Sequence, residues 1–202
     1  HAVTIVSYSD AEIDRRAAQA VAAIPGFDRV ETLLLPMPGL RETVLGGRAA
    51  RAMAPLIAKA GFVHIHGVWE VNLLRAALLC RRFSVPYCVC CCGMLDVWSM
   101  QQKSWKKKLA LNFGFRRMLD GAAFIHALNG DEIELMRPLN LKAPPLIIPN
   151  GVFLNEVEGG GDSAVKLPAR FVLFLSRLHY KKGLDNLADA YRRVAGAFPD
   201  TE

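Results

Sequence analysis

The fold is decided by a strand, a helix and a second strand that follow one another between residues 62 and 92: Phe62–His66 (FVHIH), Glu70–Phe83 and Tyr87–Cys92 (YCVCCC). The second strand segment is an unbroken apolar run, which is typical of a strand covered on both faces. A helix between two such strands is the usual connection between parallel neighbours. The stretch therefore predicts a parallel strand–helix–strand unit.

The same alternation continues on both sides of this unit. The other predicted strands are Val3–Ser7, Val30–Leu35, Ala122–Leu128 and Leu146–Ile148, and the other predicted helices are Asp10–Ile24, Arg48–Ala60, Gln102–Leu119 and Asp131–Arg137. Asp10 is a predicted cap, and Pro55 is expected to kink or shorten its helix. The pattern predicts an α/β fold, a Rossmann-like parallel sheet with helices on both faces.

A glycine-rich stretch, 157–168, is expected to be a linker between two domains. It follows a Rossmann-like domain over 1–156 and precedes 169–202, where the strand Phe171–Leu175 and a helix restart the pattern as the first strand–helix unit of a second Rossmann-like domain. Because the chain begins with His1, we expect a fragment cut at both ends that lacks the first strand of one domain and most of the other.

Charge is concentrated in one segment of this chain. The net charge of +6 favours anionic partners, and residues 97–119 contain no acidic residue. The chain has no run of 18 apolar residues, so a spanning helix is not expected. Interleaved aromatic and basic residues predict contact with an anionic membrane surface through Trp105, Lys106, Lys107 and Lys108. A core-packing helix with a solvated basic face is the alternative, and nucleic acid is not expected because no binding motif accompanies the charge.

Four of the five cysteines lie between Cys88 and Cys92. Neighbouring cysteines alternate across a strand and therefore do not converge on one ion. We expect them to be small core residues, which indicates a reducing compartment, the cytoplasm.

Polar turns follow four predicted strands, at the edge where ligands bind in an open parallel sheet. The candidate site residues in these turns are His66, Gly67, Gly93, Glu132, Asn150 and Gly151. His66 is the candidate for proton transfer, whereas His64 is expected to be a satisfied core histidine. A metal at this histidine pair would need a third ligand, and none is evident. A cap at Asn129 and a simple strand-closing turn at Asn150 are the structural alternatives.

A basic turn links the strand Phe171–Leu175 to the next helix. Arg177 and Lys182 supply two positive charges, and Gly183 stands at the helix entry, where backbone N–H groups also favour an anion. The turn therefore predicts an anion site.

Short motifs along the chain resemble glycosyltransferase family 4, the retaining enzymes of GT-B fold in bacterial polysaccharide and lipopolysaccharide assembly. In order they are 64–69 (HIHGVW), 86–87 (PY), 93–95 (GML), 107–108 (KK), 122–128 (AAFIHAL), Glu132, 149–151 (PNG) and 177–185 (RLHYKKGLD). The resemblance covers residues 60–195. It implies two Rossmann-like domains, the first for an acceptor and the second for a nucleotide sugar, with Arg177 and Lys182 on the donor diphosphate.

The resemblance also implies the reaction. A hexose would pass with retention to a lipid-linked or oligosaccharide acceptor, without a metal or other cofactor, at the inner face of the plasma membrane. The leaving phosphate itself takes the acceptor proton, so no protein base is required. Two positions depart from the family pattern, Cys92 before the Gly-Met-Leu motif and Phe153 after Pro-Asn-Gly. A non-catalytic membrane-surface or scaffold module and a nucleotide-sugar epimerase of the same fold are the alternatives, and we expect the 202 residues alone to be inactive.

Overall fold

The computed structural model describes residues 2–22, 24–102, 104–154 and 168–201. The chain divides into two compact units, His1–Asn150 and Gly151–Glu202. The predicted linker 157–168 lies outside the described residues apart from Pro168. No helix of the described ranges is both long and apolar enough to cross a membrane.

The first unit alternates strands and helices, as predicted. Its strands are β1 (Val3–Ser9), β2 (Val30–Pro36), β3 (Val63–His66), β4 (Tyr87–Cys90), β5 (Phe124–Ala127) and β6 (Pro145–Ile147). Its α-helices are α1 (Ala11–Ala22), α2 (Leu40–Leu45), α3 (Gly47–Ile57), α4 (Val71–Arg82), α5 (Val97–Gln101), α6 (Ser104–Ala110), α7 (Arg116–Asp120) and α8 (Gly130–Met136). Asp10 caps α1 as expected, because its carboxylate accepts hydrogen bonds from the backbone N–H groups of Glu12 and Ile13. Helix α3 contains Pro55 and ends at Ile57, before the predicted end at Ala60.

All strand pairs are parallel. β1 pairs with β2, and the other four strands form a sheet in the order β3-β4-β5-β6. The register places His66, Cys90 and His126 side by side on three neighbouring strands. Paired residues of parallel strands point to the same side of the sheet, so these three side chains share one face.

The opposite face of this sheet belongs to the core of the unit. Ile65, Val89 and Ile125 are buried there. The helices contribute further buried apolar residues, which include Ala76, Ala77 and Cys80 of α4 and Met118 and Leu119 of α7. All four residues of β4 are buried, so β4 is the strand that is covered on both faces, as its sequence predicts.

The predicted single helix Gln102–Leu119 is wrong. The segment consists of α6, a π-helical turn at Leu111–Phe115 and α7, with non-helical backbone at Phe113 and Gly114. Gly114 has φ of 127°, which a side chain disfavours, and a Cβ atom there would lie 3.4 Å from Leu74 of α4. Glycine therefore lets the backbone turn while it stays against the neighbouring helix.

The second unit contains helix α9 (Leu184–Val194), which is preceded by a 3₁₀ turn at Tyr180–Lys182. The predicted helix is confirmed. The predicted strand Phe171–Leu175 is wrong, because this segment forms no strand ladder with any described residue. A strand needs a partner for its backbone groups, and its apolar residues stay exposed here, Leu175 to 90%.

Candidate functional site

Three polar turns meet at the carboxyl ends of β3, β4 and β5. The turn after β3 begins with Gly67, whose N–H donates to the Cys90 carbonyl at 2.8 Å. Gly67 has φ of 98°, and a Cβ atom there would lie 3.3 Å from Leu73 and 3.5 Å from Met94. This position therefore suits glycine both in backbone conformation and in the space available.

The turn after β4 is attached to helix α8 through Glu132. One carboxylate oxygen of Glu132 accepts the N–H of Gly93 at 2.7 Å, and the other accepts the N–H of Leu128 at 2.7 Å. The Glu132 side chain is buried, with 7% exposed. Its carboxylate thus joins the turn after β4 to the turn after β5.

Asn129 caps the same helix. Its side-chain oxygen accepts the N–H of Glu132 at 2.9 Å, so the capping alternative is confirmed. The sequence did not indicate the contacts of the Glu132 side chain, whose two carboxylate oxygens accept backbone N–H groups. Glu132 therefore positions Gly93, and through that contact it shapes the edge of the sheet.

A second set of bonds ties the first two turns to α6. The Trp69 indole N–H donates to the Met94 carbonyl at 3.3 Å, and the Ser99 hydroxyl donates to the same carbonyl at 2.9 Å. Lys107 donates to the Ser99 carbonyl at 2.6 Å and lies 5.3 Å from the centre of the Trp69 ring. The turns at this edge therefore form one connected network.

Three histidines lie on the polar face of the sheet. His64 and His66 have ring centres 4.1 Å apart, and His64 Nε2 lies 3.0 Å from His126 Nδ1. His126 Nε2 lies 2.7 Å from the Ile148 carbonyl, which only accepts, so this nitrogen carries the proton. His64 Nε2 and His126 Nδ1 share one hydrogen bond, whose donor depends on the protonation of the two rings. Because Nε2 is used in this bond, Nδ1 is the ring nitrogen of His64 that remains for another partner.

His64 differs from its expected role as a core histidine, since its side chain is exposed on β3, an edge strand of its sheet. The part of the His64 ring that is turned away from solvent loses hydration, and the neighbouring His66 and His126 disfavour a further positive charge. Together these effects lower the pKa of His64 to about 4. The ring is therefore neutral at physiological pH.

The cysteines are core residues with one exception. Cys80, Cys88, Cys90 and Cys91 are buried, as predicted, whereas Cys92 is exposed and has φ of 50°. Burial raises the pKa of Cys88 to about 11 and, with a contribution from Cys92, that of Cys90 to about 12.

The expectation that the histidine pair lacks a third ligand is wrong. One ligand atom each from His64, His66 and Cys90 lies within 4.8 Å of the other two. Cys92 Sγ lies 3.5 Å from Cys90 Sγ, so cysteines two residues apart do converge. The alternation argument does not reach Cys92, because β4 ends at Cys90 and the backbone of Cys92 is not extended.

The remaining predicted residues lie at the boundary of the two units or in the second unit. Asn150 and Gly151 are exposed and fall on either side of the boundary between the units. Arg177 and Lys182 are exposed in the second unit, and neither forms an ion pair with another of the described residues. The Lys182 N–H donates to the His179 carbonyl at 2.8 Å, and Gly183, with φ of 67°, precedes α9.

The basic segment, residues 97–119, carries two sets of apolar side chains, one buried and one exposed. Phe115 and Met118 are buried against the core. Trp105, Leu109 and Phe113 are exposed to 66%, 49% and 75%. Of the predicted membrane-contact lysines, Lys106 and Lys108 are exposed, whereas Lys107 is turned toward Ser99 and Trp69.

Residues that the sequence reasoning missed are His126, Ser99 and the inward role of Lys107. His126 lies two residues after Phe124 on β5, and residues two apart in a strand point to the same face. Alternation along β5 could therefore have identified His126 as a polar residue on one face of the sheet. The partner of His126 depends on strand order, which the sequence does not specify.

The profile of the Glycosyl transferase 4-like domain matches residues 1–151, three quarters of the chain and nearly the same span as the first unit. No curated protein matches the chain significantly. The matched region contains the parallel sheet and the connected turns at its carboxyl edge, which is where open α/β sheets bind their ligands. The chain therefore belongs to the glycosyl transferase 4-like family and is a glycosyltransferase, an enzyme that moves a sugar from a donor to an acceptor.

Proposed function

We propose that this glycosyltransferase moves a hexose, with retention, from a nucleotide sugar to a lipid-linked or oligosaccharide acceptor in cell-surface polysaccharide synthesis. The observation that carries the proposal is the family match over the unit whose three strand-end turns are joined into one site. The motif order from residue 60 to 195 supports the finer assignment of donor and acceptor.

The donor diphosphate is assigned to Arg177 and Lys182 of the second unit. Both side chains are exposed and keep their charge available, and the backbone N–H groups at the start of α9 lie directly after them. The diphosphate is the leaving group and gains negative charge as the glycosidic bond breaks. Two fixed cations therefore stabilise the transition state more than the ground state.

The acceptor side is assigned to the turns of the first unit. His66 ends β3 and Gly67 follows it, with the Met94 side chain next to Gly67, and Gly93 is held by the Glu132 carboxylate. His66 is the candidate for a hydrogen bond to the reacting hydroxyl, while the leaving phosphate takes the proton. Asn150 and Gly151 are weaker candidates, since their position follows from motif order alone.

A donor panel tests this assignment. The protein that carries these residues is incubated with UDP-, GDP- and ADP-hexoses, donor hydrolysis is measured, and NMR of the released sugar gives its anomeric configuration. Turnover with one nucleotide and a retained configuration is the expected result. An inverted product contradicts the retaining mechanism, and interconversion of the sugar without transfer identifies an epimerase. No turnover with any donor identifies the scaffold alternative.

A second candidate function is contact with an anionic membrane, and one observation favours it. The core side of the basic segment is already used by Phe115 and Met118, yet Trp105, Leu109 and Phe113 remain exposed beside Lys106 and Lys108. Exposed aromatic residues flanked by lysines are typical of an interfacial surface.

Vesicle sedimentation tests the membrane role. The double variant Lys106→Glu/Lys108→Glu should bind phosphatidylglycerol vesicles more than about 10-fold more weakly than the wild type, because each lysine contributes about 1 kcal/mol near an anionic surface. The matched control Arg16→Glu/Lys59→Glu changes net charge equally at other exposed positions and should bind as the wild type does. Equal loss in both double variants means non-specific charge attraction and contradicts the assignment.

A further inference from the structure

The polar face of the sheet brings together four side chains that are common metal ligands. His64 and His66 come from β3, Cys90 comes from β4, and Cys92 stands two residues past the end of β4. The first three place one ligand atom each within 4.8 Å of one another. The family match assigns no metal to this group, and of the four only His66 has a part in the proposed acceptor site.

The spacing of the cysteines fits a tetrahedral ion. Cys90 Sγ and Cys92 Sγ lie 3.5 Å apart. Two sulfur ligands at the usual zinc–sulfur distance of about 2.3 Å stand roughly 3.8 Å apart in a tetrahedron. The observed pair is therefore close to the required separation and much too far apart for a disulfide bond.

A hydrogen bond with a neighbouring histidine, His126, orients the ring of His64. His64 Nε2 is hydrogen-bonded to His126 Nδ1, and His126 Nε2 donates to the Ile148 carbonyl, so Nδ1 is the nitrogen of His64 that remains for an ion. Metal-binding histidines usually donate their other N–H to such a partner, which fixes the tautomer and the ring orientation. The chain His64–His126–Ile148 has this arrangement.

We propose that His64, His66 and Cys90 bind one zinc ion, that the exposed Cys92 thiol beside Cys90 turns toward the ion as the fourth ligand, and that His126 is the positioning residue next to His64. Two imidazoles and two thiolates form a set that zinc prefers in closed tetrahedral sites. The ion would deprotonate the two thiols as it binds, because metal coordination removes a thiol proton outright. His66 has two ring nitrogens, so one can bind the ion while the other keeps the hydrogen bond to the acceptor hydroxyl.

Cobalt substitution tests the site. The whole chain, without a histidine tag, is reduced, treated with a chelator, desalted and titrated with Co²⁺ alone, and the absorbance spectrum is recorded. One equivalent should produce a cobalt–thiolate charge-transfer band with the visible bands of a tetrahedral ion. Addition of Zn²⁺ should remove these bands, because zinc binds such a site more tightly than cobalt.

Variants assign the ligands. Cys90→Ser and His66→Ala should each weaken zinc binding more than about 100-fold, and His126→Leu, which removes only the outer partner, about 10- to 100-fold. Cys92→Ser should give a weaker charge-transfer band, because one thiolate remains. The matched control is Cys88→Ser, a buried cysteine on the same face of the same strand, and it should bind cobalt as the wild type does.

Three results would overturn the proposal: no charge-transfer band in the wild type, unchanged binding in His66→Ala, or loss of the band in Cys88→Ser. Cys88 and Cys90 are both buried, so Cys88→Ser and Cys90→Ser are compared only if their circular dichroism matches the wild type. His66 is exposed, and His66→Ala therefore keeps the test decisive if Cys90→Ser fails to fold.

Discussion

The strand-end turns of the first unit and the basic turn of the second unit are held in different ways. In the first unit, Glu132 accepts the N–H of Gly93, 39 residues away, and Trp69 bonds to Met94, 25 residues away. In the second, two bonds of the basic turn join residues only two or three positions apart, from Lys182 to His179 and from Lys181 to His179. Changes in the first region should therefore damage the fold, whereas changes in the second should affect ligand binding alone.

Glu132→Ala is the strongest test of this difference. The substitution leaves the backbone N–H groups of Gly93 and Leu128 without acceptors, and each such group costs roughly 1–3 kcal/mol. We expect the free energy of unfolding to fall by roughly 2–5 kcal/mol. Urea unfolding followed by tryptophan fluorescence measures it, since all three tryptophans lie in the first unit.

The matched control for this variant is Glu134→Ala on the same helix. Glu134 forms an exposed ion pair with Arg137, and such pairs contribute about 0–1 kcal/mol. If the two variants lose the same stability, the carboxylate of Glu132 does not hold the turns together.

The elements of the first unit were predictable because their signals are local. Apolar periodicity indicated each strand and most helices, and Asn129 was identifiable as a cap from its place before an acidic helical turn. The break at Gly114 was not predictable, since a single glycine in a helical pattern costs only about 1 kcal/mol and does not by itself end a helix. The contact with Leu74 that selects glycine is a tertiary effect.

The candidate site was predictable in its position but not in its contacts. Polar turns at strand ends indicated that His66, Gly67 and Gly93 lie at one edge of the sheet, as they do, while their role in a binding site stays a prediction. The meeting of His64 with His126 joins residues 62 positions apart and depends on the order and register of β3, β4 and β5. No local pattern in the sequence contains that information.

Gly67 and Gly93 of the first unit differ in the space that a side chain would find. In Gly67→Ala the new Cβ would meet Leu73 at 3.3 Å with φ at 98°, whereas in Gly93→Ala the nearest atom is an Asp96 oxygen at 3.7 Å with φ at 69°. We expect losses of about 2 kcal/mol and about 1 kcal/mol in the free energy of unfolding. Thermal unfolding of the two variants side by side measures the difference. A larger loss in Gly93→Ala would show that space at Gly67 is not limiting.

Arg177→Ala and Lys182→Ala test the second region. Each should leave the free energy of unfolding within about 0.5 kcal/mol of the wild type, because both side chains are exposed. Each should weaken nucleoside diphosphate binding about 10- to 100-fold, since a charge-assisted hydrogen bond contributes about 1.5–3 kcal/mol. Titration calorimetry measures the binding. Arg193→Ala, an exposed charge at the far end of α9, is the control and should bind normally; equal weakening there would contradict a specific diphosphate site.

His179→Ala should have the smallest effect on stability. It tests whether the hydrogen bond from Lys181 to the His179 side chain stabilises the basic turn. The side-chain Nδ1 of His179 accepts the N–H of Lys181 at 3.2 Å, but this turn is exposed and water can replace the bond. The stability of the second unit, measured by the exchange of its backbone amides, should change by less than about 0.5 kcal/mol. If it falls by more than about 1 kcal/mol, the imidazole is a necessary part of the turn, and the basic turn would then be preorganised in the same sense as the turns around Glu132.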